Sequence, residues 1–387
     1  MGSLIGRTGM HFVDITMFYA AEGGGVSTYL NAKASWLRRR SRVRHSIVSP
    51  NVPAGGASPT LVRVPGIALP GINGYRVPLA LSASARILLR LQPDLIEAGD
   101  AGPAAWSALR VKRRLGIPAV AFYHSDMARL AHAHLGRVAM HATCRYLVQL
   151  YRQFDLVLAP SRLMAQQLRN MGIKGALHQP LGIDSSVFAP HWHSGTLREQ
   201  LQLPGDTRLL VFAGRFTPEK KLDVLIAAVA RLGPPYHLLL VGGGGPVPRA
   251  PNVSVMPFLR DQRMLARLLA SCDALVHPGD CETFGLIVLE AMACGLPVVG
   301  TSDGAVAELV DDSNGILVAP NSVCSLAAGI EALFARDRSA LALAARAKAS
   351  ALYDWNIIMP QLMHRYAGLL ALGGRSELEA ERVCVPE

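Results

Sequence analysis

The sequence is short of charge, of aromatic side chains and of paired cysteines. Only 17% of its 387 residues are charged and 6% are aromatic, yet 50% are hydrophobic. That balance excludes a disordered or fibrous chain and leaves ample material for globular cores. The six cysteines (Cys144, Cys272, Cys281, Cys294, Cys324, Cys384) are scattered and form no CxxC pair. This argues against a zinc site and a disulfide framework, and fits a reducing, cytoplasmic compartment. No apolar run reaches the 18 residues a membrane span needs. Arg7 and Asp14 interrupt any h-region, so the reading includes no signal peptide, and the first strand begins at His11 after a ragged leader. A GxGxxG fingerprint, a DxD pair, an internal repeat and a low-complexity tract are also missing. A nicotinamide dehydrogenase is disfavoured on the first of these grounds.

What is present is alternation. Gly (36) and Pro (25) are plentiful but not periodic, as many short βα turns require. Apolar runs predict strands at 11–16, 45–49, 60–64, 94–97, 118–123, 155–159 and 176–179, then at 208–213, 237–241, 253–256, 273–276, 297–300 and 315–318. Helical patterns lie between many of them, at 25–40, 80–91, 103–115, 129–153, 161–171, 221–232, 261–271, 285–294, 304–310 and 323–349. Such alternation implies parallel sheets covered on both faces. The strands are too many for one ordinary sheet, and the length suits two domains. The break falls near 185–206, where Pro, Ser, Gly and charge mix. The expected domains are 1–190 and 206–355, with a ligand cleft between them.

Charge divides with them. Residues 1–190 hold 22 Lys and Arg against 8 Asp and Glu, a balance of +14, and the remainder holds 17 against 20, a balance of −3. The first half is therefore expected to meet something anionic. Its densest stretch is Trp36-Leu37-Arg38-Arg39-Arg40-Ser41-Arg42-Val43-Arg44-His45. One reading is an anionic membrane surface, with Trp36 at headgroup level and Arg38–Arg44 on lipid phosphates. The other is a solvated helix end whose arginines suit the helix dipole. Nucleic acid lacks an accompanying recognition fold. The 129–153 helix is also cationic, and either adds to that surface or packs on the sheet.

Four motifs carry chemistry. Glu22-Gly23-Gly24-Gly25 follows the first strand and opens a helix, where glycines let a ligand approach backbone N–H groups. The same pattern also serves as a plain βα turn. Gly214-Arg215-Phe216-Thr217-Pro218-Glu219-Lys220-Lys221 ends the first strand of the second half. Arg215 and Lys220 can grip a diphosphate, the first as a planar fork and the second as a point charge. A solvated basic loop is the bland alternative. His124 stands where strand 118–123 breaks off, placed for a ligand or for a cap. The most specific string runs from His277 to Val299 and holds Glu282, Phe284, Gly285, Leu286 and Glu290. Glu282 ends a loop, Phe284 and Gly285 begin a helix, and Glu290 sits about one and a half turns into it. Two carboxylates eight apart are weak alone; the whole string with Gly295-Leu296-Pro297-Val298-Val299 is strong.

Together these residues resemble the family 4 retaining glycosyltransferases, over nearly the whole chain. The resemblance implies an α/β GT-B fold: two Rossmann-like, doubly wound parallel-sheet domains facing each other across a cleft. The helix at 356–387 would cross back onto the first domain. It implies transfer of a hexose from a UDP- or GDP-sugar to an acceptor hydroxyl, in glycan, glycolipid or exopolysaccharide assembly, with no cofactor and no metal. Arg215 and Lys220 would hold the diphosphate and stabilise the leaving group, Glu290 the ribose, Glu282 the donor sugar. Phe284, Gly285 and Leu286 would offer backbone N–H groups, Phe258 would line the base, and His124 would bond the sugar. Gly24 and Gly25 would approach the phosphates or the acceptor. A glycan or lipid-linked acceptor would be the partner, with the protein cytoplasmic or peripheral on the inner membrane face. Two departures stand out: Ala305 follows Gly304 where a second glycine is usual, and Lys221 follows Lys220 where glycine is usual. A nucleotide-sugar epimerase of the same fold and a non-catalytic binding protein of that fold are the alternatives.

Overall fold

The structure is a computed structural model that describes residues 9–19, 23–53, 60–68, 75–78, 80–246 and 250–383. The chain divides into two compact units. One takes residues up to Pro180 together with those from Ile358 onward; the other is Leu181–Ile357.

In chain order the first unit holds β1 (His11–Ile15), β2 (Arg44–Ser49), β3 (Leu61–Arg63), β4 (Gly66–Ala68), β5 (Arg76–Pro78), β6 (Leu95–Ala98), β7 (Ala119–Phe122), β8 (Leu156–Ala159) and β9 (Ala176–His178). The sheet order is β3-β2-β1-β6-β7-β8-β9, parallel throughout, and β4 and β5 pair antiparallel beside it. The second unit holds β10 (Arg208–Arg215), β11 (Tyr236–Gly243), β12 (Val253–Pro257), β13 (Ala274–His277), β14 (Val298–Thr301) and β15 (Gly315–Val318). Its parallel order is β12-β11-β10-β13-β14-β15. Both sheets start in the middle, wind one way, then reverse. The reversal parts the connections between β1 and β6 and between β10 and β13, so a crevice opens beyond the carboxyl ends of those strands. The central strands are buried along their whole length, β1, β6, β7 and β13 among them. That explains the unbroken apolar runs of the sequence.

The boundary differs from the expected 190 and 206. Residues from Leu181 belong to the second unit because the chain is tied there from both sides. Ile183 pairs with Asp354 as an isolated bridge. The Arg346 guanidinium donates to the carbonyls of Ser185, Phe188 and Ala293. At the other end the long helix Trp355–Val383 changes allegiance, with Ile358 onward in the first unit.

A polar cluster in the first unit's interior holds that helix. Lys33, 0% exposed, lies 2.7 Å from Asp14 and 3.3 Å from Glu97, and donates to the Tyr366 hydroxyl at 2.9 Å. Tyr366 donates to Glu97, as does Tyr29 at 3.0 Å. His45 Nε2 lies 2.5 Å from Asp14. Burial pushes both carboxyls up. For Asp14 the charges of Lys33 and His45 outweigh it and hold the carboxyl low, whereas Glu97 stays raised.

Two helical expectations change. The predicted 323–349 helix is two helices, Val323–Phe334 and Arg338–Tyr353. Asp337 starts the second by accepting from the Ser339 and Ala340 N–H groups. The predicted 304–310 helix is only a 3-10 turn, Ala305–Glu308.

Candidate active site

The second unit gathers its candidate residues at its switch point. β10 ends in Gly214-Arg215, and the following loop carries Lys220 in a 3-10 turn, Pro218–Lys220. The strand next to β10 on the other side, β13, ends in His277 and leads into the loop with Glu282. Lys220 and Glu282 therefore approach from the two strands that flank the reversal, and they form an ion pair. His277, 1% exposed, places Nε2 at 3.1 Å from the same Glu282 oxygen. A carboxylate only accepts, so Nε2 carries the proton. Its Nδ1 is buried and has no hydrogen-bond partner among the described residues. Burial pushes the Glu282 carboxyl up, but the Lys220 charge and the His277 hydrogen bond outweigh it. The carboxyl lies well below the usual carboxylate range and stays ionised.

The loop around Glu282 is braced from three sides. Thr301, at the end of β14, donates to the Gly279 carbonyl at 3.0 Å. Asn321 donates to Asp280 at 3.0 Å. The Ala305 N–H donates to the Glu282 carbonyl at 3.0 Å. Gly304 lies at φ 76, and a Cβ there would stand 3.0 Å from the Asp280 carbonyl oxygen. One glycine at this turn thus suffices, with Ala305 in place of a second. β10 and β11 run close together: a Cβ on Gly242 would fall 1.8 Å from the Gly214 oxygen.

The helix Leu286–Ala293 starts at Gly285, φ 94, with no capping side chain and no acidic residue in its first turn. The first N–H groups of a helix have no partner within it, so an uncapped start leaves them open to a ligand. Phe284 is buried, edge-on to Tyr353 at 6.2 Å, so its side chain is core and only its backbone can serve a ligand. Glu290 is 9% exposed and meets no hydrogen-bond or ion-pair partner among the described residues. Burial alone pushes its carboxyl up to about 8. Arg215 is exposed at its strand end, and Phe258, 48% exposed, follows β12. Lys221 takes the left-handed conformation at φ 52 that a glycine would adopt freely.

The first unit holds the remaining candidates. Gly23 and Gly24 have φ of 99 and 120 and lead into the helix Gly25–Arg40; Glu22 lies outside the described residues. His124 stacks on Phe122 at 4.2 Å and tilts against Tyr29 at 5.4 Å. Burial lowers its pKa to about 3, so it is a neutral imidazole. Within the arginine stretch, the expectation for Trp36 is corrected. Arg38, Arg39, Arg40, Arg42 and Arg44 are exposed, but Trp36 and His45 are each only 6% exposed and belong to the interior. Trp36 does not lie at a headgroup.

Two family models match this chain in succession, Glycosyltransferase Family 4 over residues 23–187 and Glycosyl transferases group 1 over 207–336. The chain belongs to the family 4, group 1 glycosyltransferases. This glycosyltransferase is 29% identical over 328 residues to a GDP-mannose-dependent alpha-mannosyltransferase of Corynebacterium glutamicum, covering 82% of this chain and 78% of the relative. It is 27% identical to one of the same description from Mycobacterium tuberculosis, covering 96% and 99%. Among solved structures it superposes on sucrose-phosphate synthase from Thermosynechococcus elongatus with a TM-score of 0.79 at 22% identity, covering 94% and 100%. Anabaena HepE in complex with UDP and glucose gives 0.75 at 22% identity, covering 93% and 100%. The fold is therefore GT-B. Among the described residues no helix is long and apolar enough to cross a membrane, and no group of three or more His, Cys, Asp or Glu could hold a metal ion.

The site residue that sequence reasoning left without a role is His277. Its signal was its place at a strand's carboxyl end in the same string as Glu282; its pairing became visible only in three dimensions.

Proposed function

We propose that this glycosyltransferase moves a hexose from a nucleoside diphospho-sugar to an acceptor hydroxyl in glycan or glycolipid assembly, with retention at the anomeric carbon and without a metal. The observation that carries the reading is the Lys220–Glu282–His277 cluster at the switch point of the second sheet. Lys220 and exposed Arg215 supply positive charge for a diphosphate, the part a cation plays elsewhere. The uncapped helix start at Leu286 adds N–H donors for phosphate or sugar oxygens. Glu282, held ionised, can only accept, which suits sugar hydroxyls. Glu290 is a buried carboxyl that meets no partner among the described residues, which suits a ribose diol. Phe258 is placed to cover a base, and neutral His124 to bond the donor sugar without adding charge. Gly24 and Gly25 leave backbone open to phosphate or acceptor. Relatives named for GDP-mannose make a GDP-hexose the first donor to try. Neither the epimerase nor the binding-protein alternative is favoured, because the relatives are named as transferases.

The test is a thermal-shift panel of nucleoside diphosphates and their sugars on the wild type and on Glu290→Ala. Ligand at ~100 times its dissociation constant adds roughly 2.7 kcal/mol of stability. A shift with one nucleotide family, lost in the variant, is expected. No shift with any nucleotide would sink the reading. Acceptor-dependent loss of the donor sugar then separates a transferase from an epimerase.

A further inference from the structure

His277 is the last residue of β13, in register with Gly300 of β14, and its imidazole is buried in the second unit. The ring tilts against Phe212 with centroids 6.0 Å apart. A Cβ on Gly279 would stand 3.0 Å from its Cε1, so the bare glycine leaves the ring its room. An apolar side chain would suit this strand end better. A buried ring nitrogen without a partner costs stability, and Nδ1 has none among the described residues. What the imidazole adds is one bond, from Nε2 to the Glu282 carboxylate at 3.1 Å.

Glu282 has a second donor, Lys220, and the two differ in kind. Lys220 stands on a loop turn at the end of a flexible stem, with its side chain 17% exposed. A diphosphate bound beside it carries more charge than one carboxylate and draws the ammonium to its own oxygens. The imidazole is held by an interior strand and has no such freedom. We propose that His277 is a positioning residue, which keeps the Glu282 carboxylate aimed at the donor sugar while Lys220 turns to the diphosphate. The inference rests on the donor-site reading of Lys220 and Glu282. It assigns His277 no contact with the sugar.

Release of GDP from GDP-mannose, with water as the acceptor, tests it in the wild type and in His277→Leu, His277→Asn and His277→Gln. Gln can place an amide N–H near the position of Nε2; Asn stops near that of Nδ1, and Leu has no donor. Misplacing a reacting group by ~1 Å costs up to about 100-fold, so kcat is expected to fall about 30-fold in the Leu and Asn variants. Donor KM is expected to stay within about threefold, and Gln to bring kcat back to within about fivefold of the wild type. The thermal shift with GDP alone should be the same in every variant, since the diphosphate contacts are untouched. The Asn and Gln pair carries the test where the Leu variant does not fold. Wild-type kcat in the Asn variant overturns the proposal. So do equal losses in Asn and Gln, which mark a packing role, and a raised KM or a lost GDP shift, which mark a role in donor binding. A wild type that releases no GDP fails at the donor reading, and the inference falls with it. An active wild type matched by its variants sinks the role of His277 alone.

Discussion

Glu282 and Glu290 are eight residues apart in one string, yet their surroundings set them to opposite states. Lys220 and His277 keep the first ionised; burial without a partner leaves the second raised to about 8. If Glu282 meets the donor sugar as proposed, replacing it with Gln removes a charge there, and turnover is expected to fall roughly 100-fold in steady-state kinetics. Unchanged turnover would remove Glu282 from the chemistry. Glu290 predicts a pH effect. Its folded pKa lies above the ordinary 4.5, so the folded chain binds the extra proton between those values. Stability from this group therefore falls as pH rises from about 4.5 through about 8. Glu290→Gln escapes that loss, and its melting temperature should gain on the wild type as pH is raised across this window. A constant difference would show that Glu290 does not titrate there. At Lys221 relief of the left-handed backbone, less the entropy glycine adds to the unfolded chain, makes Lys221→Gly stabilising by roughly 0.5–1 kcal/mol in urea denaturation. A loss would show that the lysine side chain earns its place by other contacts.

Elements were legible where a long apolar run or a helical stripe marked them, and so nearly every strand of both sheets was. Three features were hidden. The hairpin β4–β5 has three-residue strands, too short to show alternation. The break at Asp337 sits inside an Ala- and Leu-rich stretch whose apolar positions run on past it; only the Asp cap betrays it. The bend at Gly136, inside the helix Met127–Tyr151, left no mark but the glycine. Each gives a check. Asp337→Ala removes the acceptor for two helix N–H groups and should cost about 1 kcal/mol by denaturation; no cost would mean the helix start is held by packing. The candidate site was readable as residue types, since Arg215, Lys220, Glu282 and Glu290 stand in one string or one turn. The ion pair that joins Lys220 to Glu282 was not, because it depends on β10 and β13 being neighbours across a reversal in strand order.

At the scale of the whole molecule, the first unit is completed by the last helix, through charge rather than grease alone. Lys33 faces two buried carboxylates and a tyrosine from that helix. Lys33→Met would strand Asp14 and Glu97 together in the interior, at a cost of about 3–5 kcal/mol in equilibrium unfolding. Tyr366→Phe should cost about 1 kcal/mol, since Lys33 remains to balance the acids. Equal costs would mean that the cluster acts as one unit. The arrangement also sets an order of events. The ribosome delivers Asp14, Lys33 and Glu97 before the second unit, Leu181–Ile357, and Tyr366 only after it. Until then the nascent first unit carries an interior cluster short of one member, so its final consolidation waits until the whole second unit has been made.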